Sequence, residues 1–405
     1  MNWPAVRERA RQWAPWAAAA LGLSIPLSKA ADAFLLVLVL LLWLAGGRYG
    51  EKLRFIGKNP VAWVSLLLFA LTIGGLFYGK VDKDSLSDAK TFLLIPLLLP
   101  LFGDPRFRKY GLRAFLTAMG FVLLVSWLLF FDLLPPGGFW KGIPENPYVV
   151  HQYITQNVLM AFAAAAWAGY ARLGKNPAAR AGAAVLAVAA VANILFMIPG
   201  KTGHVILAVL ILYYFMDWLG WRKGVPAALG MIVLLFGIVF AFPGSALHQR
   251  TTQAVREFRE WGPGQESAGV VNAIGYRMEF WRTSWSIFLD RPWTGAGTGG
   301  FPGAYAEKVK GTDRIVTDNP HSQYLLTAVE LGVVGLAALL ALFAVQWRTS
   351  ASLPGPVDPF LARSLVLTLA TGSLFNSLLS DHTESLFFVF LSALLFAGLA
   401  DRGKT

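Results

Sequence analysis

The sequence predicts an all-α polytopic membrane protein with about twelve transmembrane helices and one large polar loop outside the membrane. Three observations lead there. Of 405 residues, 56% are hydrophobic and only 14% charged, with mean hydropathy +0.54, whereas a soluble domain carries about a quarter charged residues. The apolar residues fall into runs close to the roughly 20 residues that cross a bilayer as a helix. Lysine and arginine are divided unequally between the segments that join these runs.

The start, MNWPAVRERARQWAPW, is basic and lacks a small-residue cleavage site, so it reads as a retained cytoplasmic tail. Apolar runs follow at 14–28, 31–46, 60–78, 89–103, 112–132, 153–171, 178–198, 203–219, 225–243, 320–346, 359–379 and 384–400. They are apolar all round, which suits lipid and bundle burial better than a water-facing stripe. With the N-terminus cytoplasmic, the cytoplasmic segments hold twenty Lys and Arg and the short opposite ones six. That asymmetry puts both termini in the cytoplasm. It also accounts for the net charge of +12 without nucleic acid as a partner. There is no cysteine, so disulfides and thiolate metal sites are excluded.

Three regions result: membrane helices one to nine in 1–243, a loop at 244–319 on the outer side, and helices ten to twelve in 320–405. In the loop, HQRTTQAVREFREWGPGQESAG is polar and partly helical, and GYRMEFWRTSWSIFLDRP reads as an amphipathic helix. TGAGTGGFPGAY is a glycine-rich turn, without the Gly-Lys-Ser/Thr ending of a phosphate-cradling loop.

Four polar stretches converge on the outer face. In TDNPHSQYLLTAVELG, Asn319 reads as an N-cap and Pro320 as the first helical residue. That puts His321 in the first turn, where the helix's positive end disfavours the imidazolium. Taken alone, the ring fits equally an interfacial histidine bonded to a loop carbonyl. Arg277 and Trp281 share a helical face with Arg282 alongside. These guanidiniums suit phosphate oxygens or, equally, snorkelling to lipid headgroups. IPGKTGHV places Lys201 at a helix start, where its charge opposes the macrodipole and invites an anion, and Thr202 reads as the cap. SLLSDHTESLF places Asp381, His382 and Glu384 at another start, as caps or as carboxylates that orient a base or an arginine. A further outer loop, 135–153, carries His151 near a helix start. No His/Glu spacing suits zinc and no acidic cluster suits a divalent cation.

The combination GYRMEFW, FLDRPWTGAGTGGF and NPHSQYLLTAVELGVVGL resembles the Wzy-C superfamily of O-antigen ligases, O-antigen polymerases and related bacterial oligosaccharyltransferases. The positions that match its pattern are Arg277, Trp281, Pro292, Gly295, Gly297, His321, Leu325, Glu330 and Gly332. Two depart from it. Ser322 stands where asparagine is usual after the histidine, and Lys201 stands where a turn arginine is usual, which keeps charge but loses the bidentate fork.

The resemblance implies a GT-C-like enzyme of the bacterial inner membrane with a periplasmic active site. It would pass O-antigen polysaccharide from undecaprenyl pyrophosphate to lipid A–core, inverting the anomeric centre. His321 would be the base and Arg277 would meet the pyrophosphate, with Lys201, Arg282 or Arg250. Asn319, Gln323, Asp381 and Glu384 complete the implied binding set. Fixed cations make a metal or cofactor unnecessary in this reading. The alternatives are an O-antigen polymerase, a protein oligosaccharyltransferase and a lipid-linked glycan transporter. A transporter would carry charges at the bilayer midplane, whereas here they cluster at helix ends.

Overall fold

The computed structural model describes residues 3–80, 83–135, 137–242, 244, 246–260 and 273–404. Side chains are described outside 83–89, 246–247, 250, 257–260, 273–274 and 402–404. Among these residues there are helices and no strand beyond two isolated bridges. The helices are α1 Trp3–Ser24, α2 Lys29–Ala45, α3 Tyr49–Gly57, α4 Pro60–Leu76, α5 Lys83–Leu98, α6 Pro105–Phe130, α7 Tyr153–Leu173 and α8 Pro177–Ala192. They continue as α9 Lys201–Phe240, α10 Ala246–Glu260, α11 Ala273–Asp290, α12 Phe301–Val309, α13 Gln323–Ser350, α14 Asp358–Gly372 and α15 His382–Phe396.

A helix stands at every apolar run read from the sequence. The runs at 203–219 and 225–243 are joined in α9, where Gly220 (φ 73°) makes the break between them. Helix α1 begins at Trp3, well before the apolar run, because Ala10 and Ala14 are already buried. The short α3 and α12 were not legible as separate helices. Three starts follow one rule: Asn59, Asp104 and Asn176 each precede a proline and accept a backbone N–H in the first turn.

Among the described residues, five helices are long and apolar enough to cross a membrane, or six if α2 and α3, bent by 113°, make one span. Helix α15 lies at the centre, with Phe387, Phe388, Phe390 and Leu391 fully buried. Burial on all sides explains why its sequence is apolar from Leu386 onward apart from Ser392. On the outside, Phe34, Val37, Val185, Val188 and Val233 are exposed. Such a surface is stable against lipid and not against water.

Helix α13 is interrupted at Gly332 (φ 65°, ψ −164°), a conformation open to glycine and strained for other residues. The turn at 292–299 enters the interruption. Ala296 and Gly297 donate to the Val329 and Glu330 carbonyls at 2.8 and 2.9 Å, and Val333 donates to Pro292 at 2.7 Å. The Gly299 N–H reaches the Glu330 carboxylate at 3.0 Å. On its other side the turn meets α4: Thr298 donates from its backbone to Gly75 and from its hydroxyl to Thr72. A second apolar cluster, including Phe280, Phe288, Phe301, Tyr305 and Val329, binds α11 and α12 to this part of α13.

An added Cβ at Gly332 would lie 2.3 Å from the Trp293 carbonyl oxygen, whereas one at Gly74 meets open space. Gly332→Ala is expected to destabilise the protein by about 3 kcal/mol, and Gly74→Ala to leave Tm in detergent unchanged or slightly raised. Equal melting of the two variants would show that the interruption carries no strain.

Candidate active site

Helices α2, α7 and α15 begin at the same end of the bundle, beside the loop at 137–152. Among them lies an open cavity of about 760 Å³. Arg277 of α11, with Asn319 and His321 from the turn before α13, lines one side. Lys29, Lys141, His151, Asp381, His382 and Glu384 line the remainder, with Asn376 and Ser377 between.

The turn that carries His321 is not a helix start. Asn319 accepts the His321 backbone N–H at 2.7 Å, as the other Asx–Pro pairs do, but His321 then adopts a left-handed φ of 52°. Ser322 is extended (φ −155°), and α13 starts only at Gln323. The Gln323 N–H is taken by the Ser373 and Asn376 carbonyls at the end of α14. A tertiary partner for that donor outweighs the local cap, so the expected helix start at Asn319 is corrected to Gln323. The explanation for a neutral ring changes with it. Burial first, then the Arg277 cation, hold the His321 imidazole below its usual pKa, against the pull of Asp318. The ring lies against Phe280 with centroids 6.0 Å apart. Asn319 is itself held by the Ser377 hydroxyl, which donates to the same Oδ1 at 2.8 Å. Ser322 is buried, and its hydroxyl points to the Ser373 carbonyl at 3.4 Å, so it ties two helices together.

On the other side, Asp381 precedes α15 without capping it. Its side chain is open to the cavity, yet surrounding protein raises its carboxyl above the usual range while Lys29 pulls it down. Glu384 is buried and its carboxylate accepts from Thr155. His382 faces Asp32 at 3.6 Å, and the fully buried Asp32 accepts from Ser24 at 2.6 Å. His151 is held by the Ile25 carbonyl at 3.0 Å, and burial lowers its pKa.

The cavity thus gathers Arg277, Asn319, His321, Asp381 and Glu384 from separate parts of the chain. Other residues of the expected set lie elsewhere. Gln323 is buried, with its side chain occupied by the Leu379 N–H and Thr327. Lys201 is the first residue of α9, outside the lining. Thr202 does not cap that helix, whose N-cap is Gly200; it accepts from the lining residue Asn376 at 2.7 Å. Arg282 is exposed on α11, and Glu279 faces Arg314 at 3.8 Å. Arg250 belongs to α10, but its side chain lies outside the described residues. Sequence reasoning missed Lys29, Asp32 and Lys141. Their only signal was polarity beside or between apolar runs, which is the normal place for charge in a membrane protein.

Residues 185–340 match the Wzy_C family model, described as O-antigen ligase. The match includes Arg277, the glycine-rich turn, His321 and Gly332, and bears out the resemblance those residues carry. No curated protein matches the sequence. A solved structure described as "Structural coordination of polymerization and crosslinking by a peptidoglycan synthase complex" is similar at 16% identity and a TM-score of 0.43, covering 84% of this chain and 96% of that one.

Two hydrogen bonds converge on the Asn319 side-chain oxygen, and its removal leaves the His321 backbone N–H without its acceptor. Asn319→Ala is therefore expected to cost about 2 kcal/mol in thermal unfolding. Ser377→Ala, which removes one donor, is expected to cost about 1 kcal/mol or less. The reverse order would show that Asn319 does not hold the turn.

Proposed function

We propose that this chain, whose residues 185–340 carry the O-antigen ligase segment, is an inverting glycosyltransferase. It transfers O-antigen polysaccharide from undecaprenyl pyrophosphate to lipid A–core at the periplasmic face of the bacterial inner membrane. The observation that carries the reading is the cavity shared by His321, Arg277, Asp381 and Glu384. It joins a base, a cation fit for pyrophosphate and carboxylates fit for sugar hydroxyls. The Lys/Arg asymmetry supports cytoplasmic termini and a periplasmic cavity. In this reading 1–243 supplies nine membrane helices, 244–319 the periplasmic loop and 320–405 three more helices.

In the reaction, an acceptor hydroxyl oxygen attacks the anomeric carbon, the carbon–oxygen bond to the pyrophosphate breaks, and His321 takes the hydroxyl proton. Arg277 neutralises the departing pyrophosphate through charge-assisted hydrogen bonds. Lys201, near the site through the Thr202–Asn376 bond, adds positive potential. Asp381 and Glu384 accept from sugar hydroxyls. Fixed cations carry the leaving-group charge, so the reaction runs without a metal or other cofactor. The Arg277 charge has two effects. It keeps the His321 ring unprotonated in the free enzyme, and once pyrophosphate offsets that charge the ring becomes a stronger base. Donor binding and base strength are thereby coupled.

Purified protein, lipid-linked O-antigen and lipid A–core are expected to yield core-linked product, undiminished by EDTA. Longer lipid-linked glycan without core-linked product would instead identify a polymerase, and loss of activity in EDTA would remove the metal-free mechanism. His321→Ala is expected to lower transfer about 10²–10⁴-fold, and full activity in that variant excludes the base assignment.

Transfer should fall as pH drops through the His321 pKa, which in the free enzyme lies below its ordinary value. The acid limb of kcat, which reports the donor complex, should lie at higher pH than that of kcat/KM. Arg277→Gln should move the kcat/KM limb upward, because a cation that disfavours the imidazolium has been removed. Coincident limbs in the parent protein would show that Arg277 and His321 are uncoupled.

A further inference from the structure

A second cavity, of about 1040 Å³, opens at the opposite end of the same helices. The active-site cavity takes Thr155 from the start of α7 and this one takes Leu173 from its end, a separation of about 27 Å along the helix. Its mouth is basic. Arg108, Lys109 and Arg113 come from the first turns of α6, Lys175 from the connection between α7 and α8, and Arg180 from the first turn of α8. Asp358 and Asp401 are the carboxylates among the described residues that line it. Asp401 is paired with Arg108, which also donates to the Phe102 and Gly103 carbonyls. The Asp358 carboxylate is outnumbered by the cations of the mouth. Lys109, Arg113, Lys175 and Arg180 are all exposed at the mouth.

Away from the mouth the walls turn apolar. Leu112, Leu116 and Gly120 follow one another at four-residue spacing along α6 and face Ala183 and Leu186 of α8, with Trp167 of α7 alongside. From Lys109 to Gly120 this surface extends about 16 Å along the helix axis. Added Cβ atoms at Gly120 and Gly182 would meet open space, so small residues leave a channel between α6 and α8.

A cationic mouth over an apolar channel matches a ligand with an anionic head and a hydrocarbon chain. A soluble phosphate would use the mouth and leave the channel empty. A zwitterionic lipid would fill the channel without using the excess positive charge. We propose that this cavity holds an anionic phospholipid of the surrounding bilayer, its phosphate among Lys109, Arg113, Lys175 and Arg180 and one acyl chain along Leu112, Leu116 and Gly120. Basic pockets between membrane helices at the bilayer surface bind anionic headgroups in this way. The proposal requires only that the bundle sits in a membrane, and it is independent of the transfer reaction.

The test titrates purified full-length protein in detergent with phosphatidylglycerol and, separately, phosphatidylcholine, and counts bound lipid by native mass spectrometry. Phosphatidylglycerol is expected to bind at least about tenfold more tightly, as several cations near one headgroup imply. Replacing Arg113, Lys175 and Arg180 by glutamine should reduce its binding about tenfold or more. A Gly120→Leu, Gly182→Leu double variant keeps every charge and fills the channel, and it should lose phosphatidylglycerol too. Thermal melting verifies that both variants are folded. Equal binding of the two lipids overturns the proposal, as does undiminished phosphatidylglycerol binding in either variant. Displacement of the lipid by millimolar inorganic phosphate would reveal an anion site that makes no use of the chain, and it overturns the proposal as well.

Discussion

The Arg277 and His321 side of the candidate site depends on the backbone bonds that join the 292–299 turn to the break in α13. A helix interrupted inside a membrane bundle exposes amide and carbonyl groups, and lipid offers them nothing. Here Val329, Glu330 and Val333 are satisfied by Ala296, Gly297 and Pro292. The same turn is anchored to α4 through Thr298. Helices α11 and α12 are thus brought against α13, with Phe280 and Tyr305 in the apolar cluster between them. Arg277 and His321 face one cavity because this junction fixes α11 against the start of α13.

A second principle is the placing of charge at the ends of helices whose middles are apolar. Helix α15 follows Asp381, opens with His382 and Glu384 at one cavity and leads, through an almost fully buried middle, into the helical turn that carries Asp401 at the other. Helix α6 carries Arg108, Lys109 and Arg113 in its first turns and ends near the loop at 137–152, where the Ser126 hydroxyl donates to the Pro147 carbonyl. The bundle therefore presents two polar environments, separated by a core that excludes water. The first is a mixed set of cations, carboxylates and imidazoles. The second is mostly cationic above an apolar channel.

Much of the fold was legible because apolar runs of membrane length leave a chain few alternatives. The Asx–Pro pairing, read from the sequence only at Asn319, marks three other helix starts in the structure, at Asn59, Asp104 and Asn176. It failed at Asn319, where the same local bond forms and the chain then turns left-handed at His321. The Ser373 and Asn376 carbonyls, fifty or more residues away, satisfy the helix's first donor, and no local pattern announces them. Lys29, Asp32 and Lys141 were missed for a related reason. Lys29 and Asp32 stand where two apolar runs meet and Lys141 stands in a loop, as many other polar residues do, and nothing local marks a charge that lines the cavity or, like Asp32, faces a residue that lines it.

The sequence by itself determined a helical membrane protein, the segment resembling O-antigen ligases, and Arg277 and His321 as a cation and a base of interest. Hydrophobic periodicity and short motifs are local properties, and they survive in a linear chain. Only the tertiary structure decided which residues share the cavity. It admitted Lys29, Lys141 and His382, left Gln323 buried in hydrogen bonds and left Lys201 outside the lining. It also assigned the low proton affinity of His321 to burial and Arg277. Electrostatic environment depends on distance through space and on the removal of water, and both are set by packing between segments far apart in the chain.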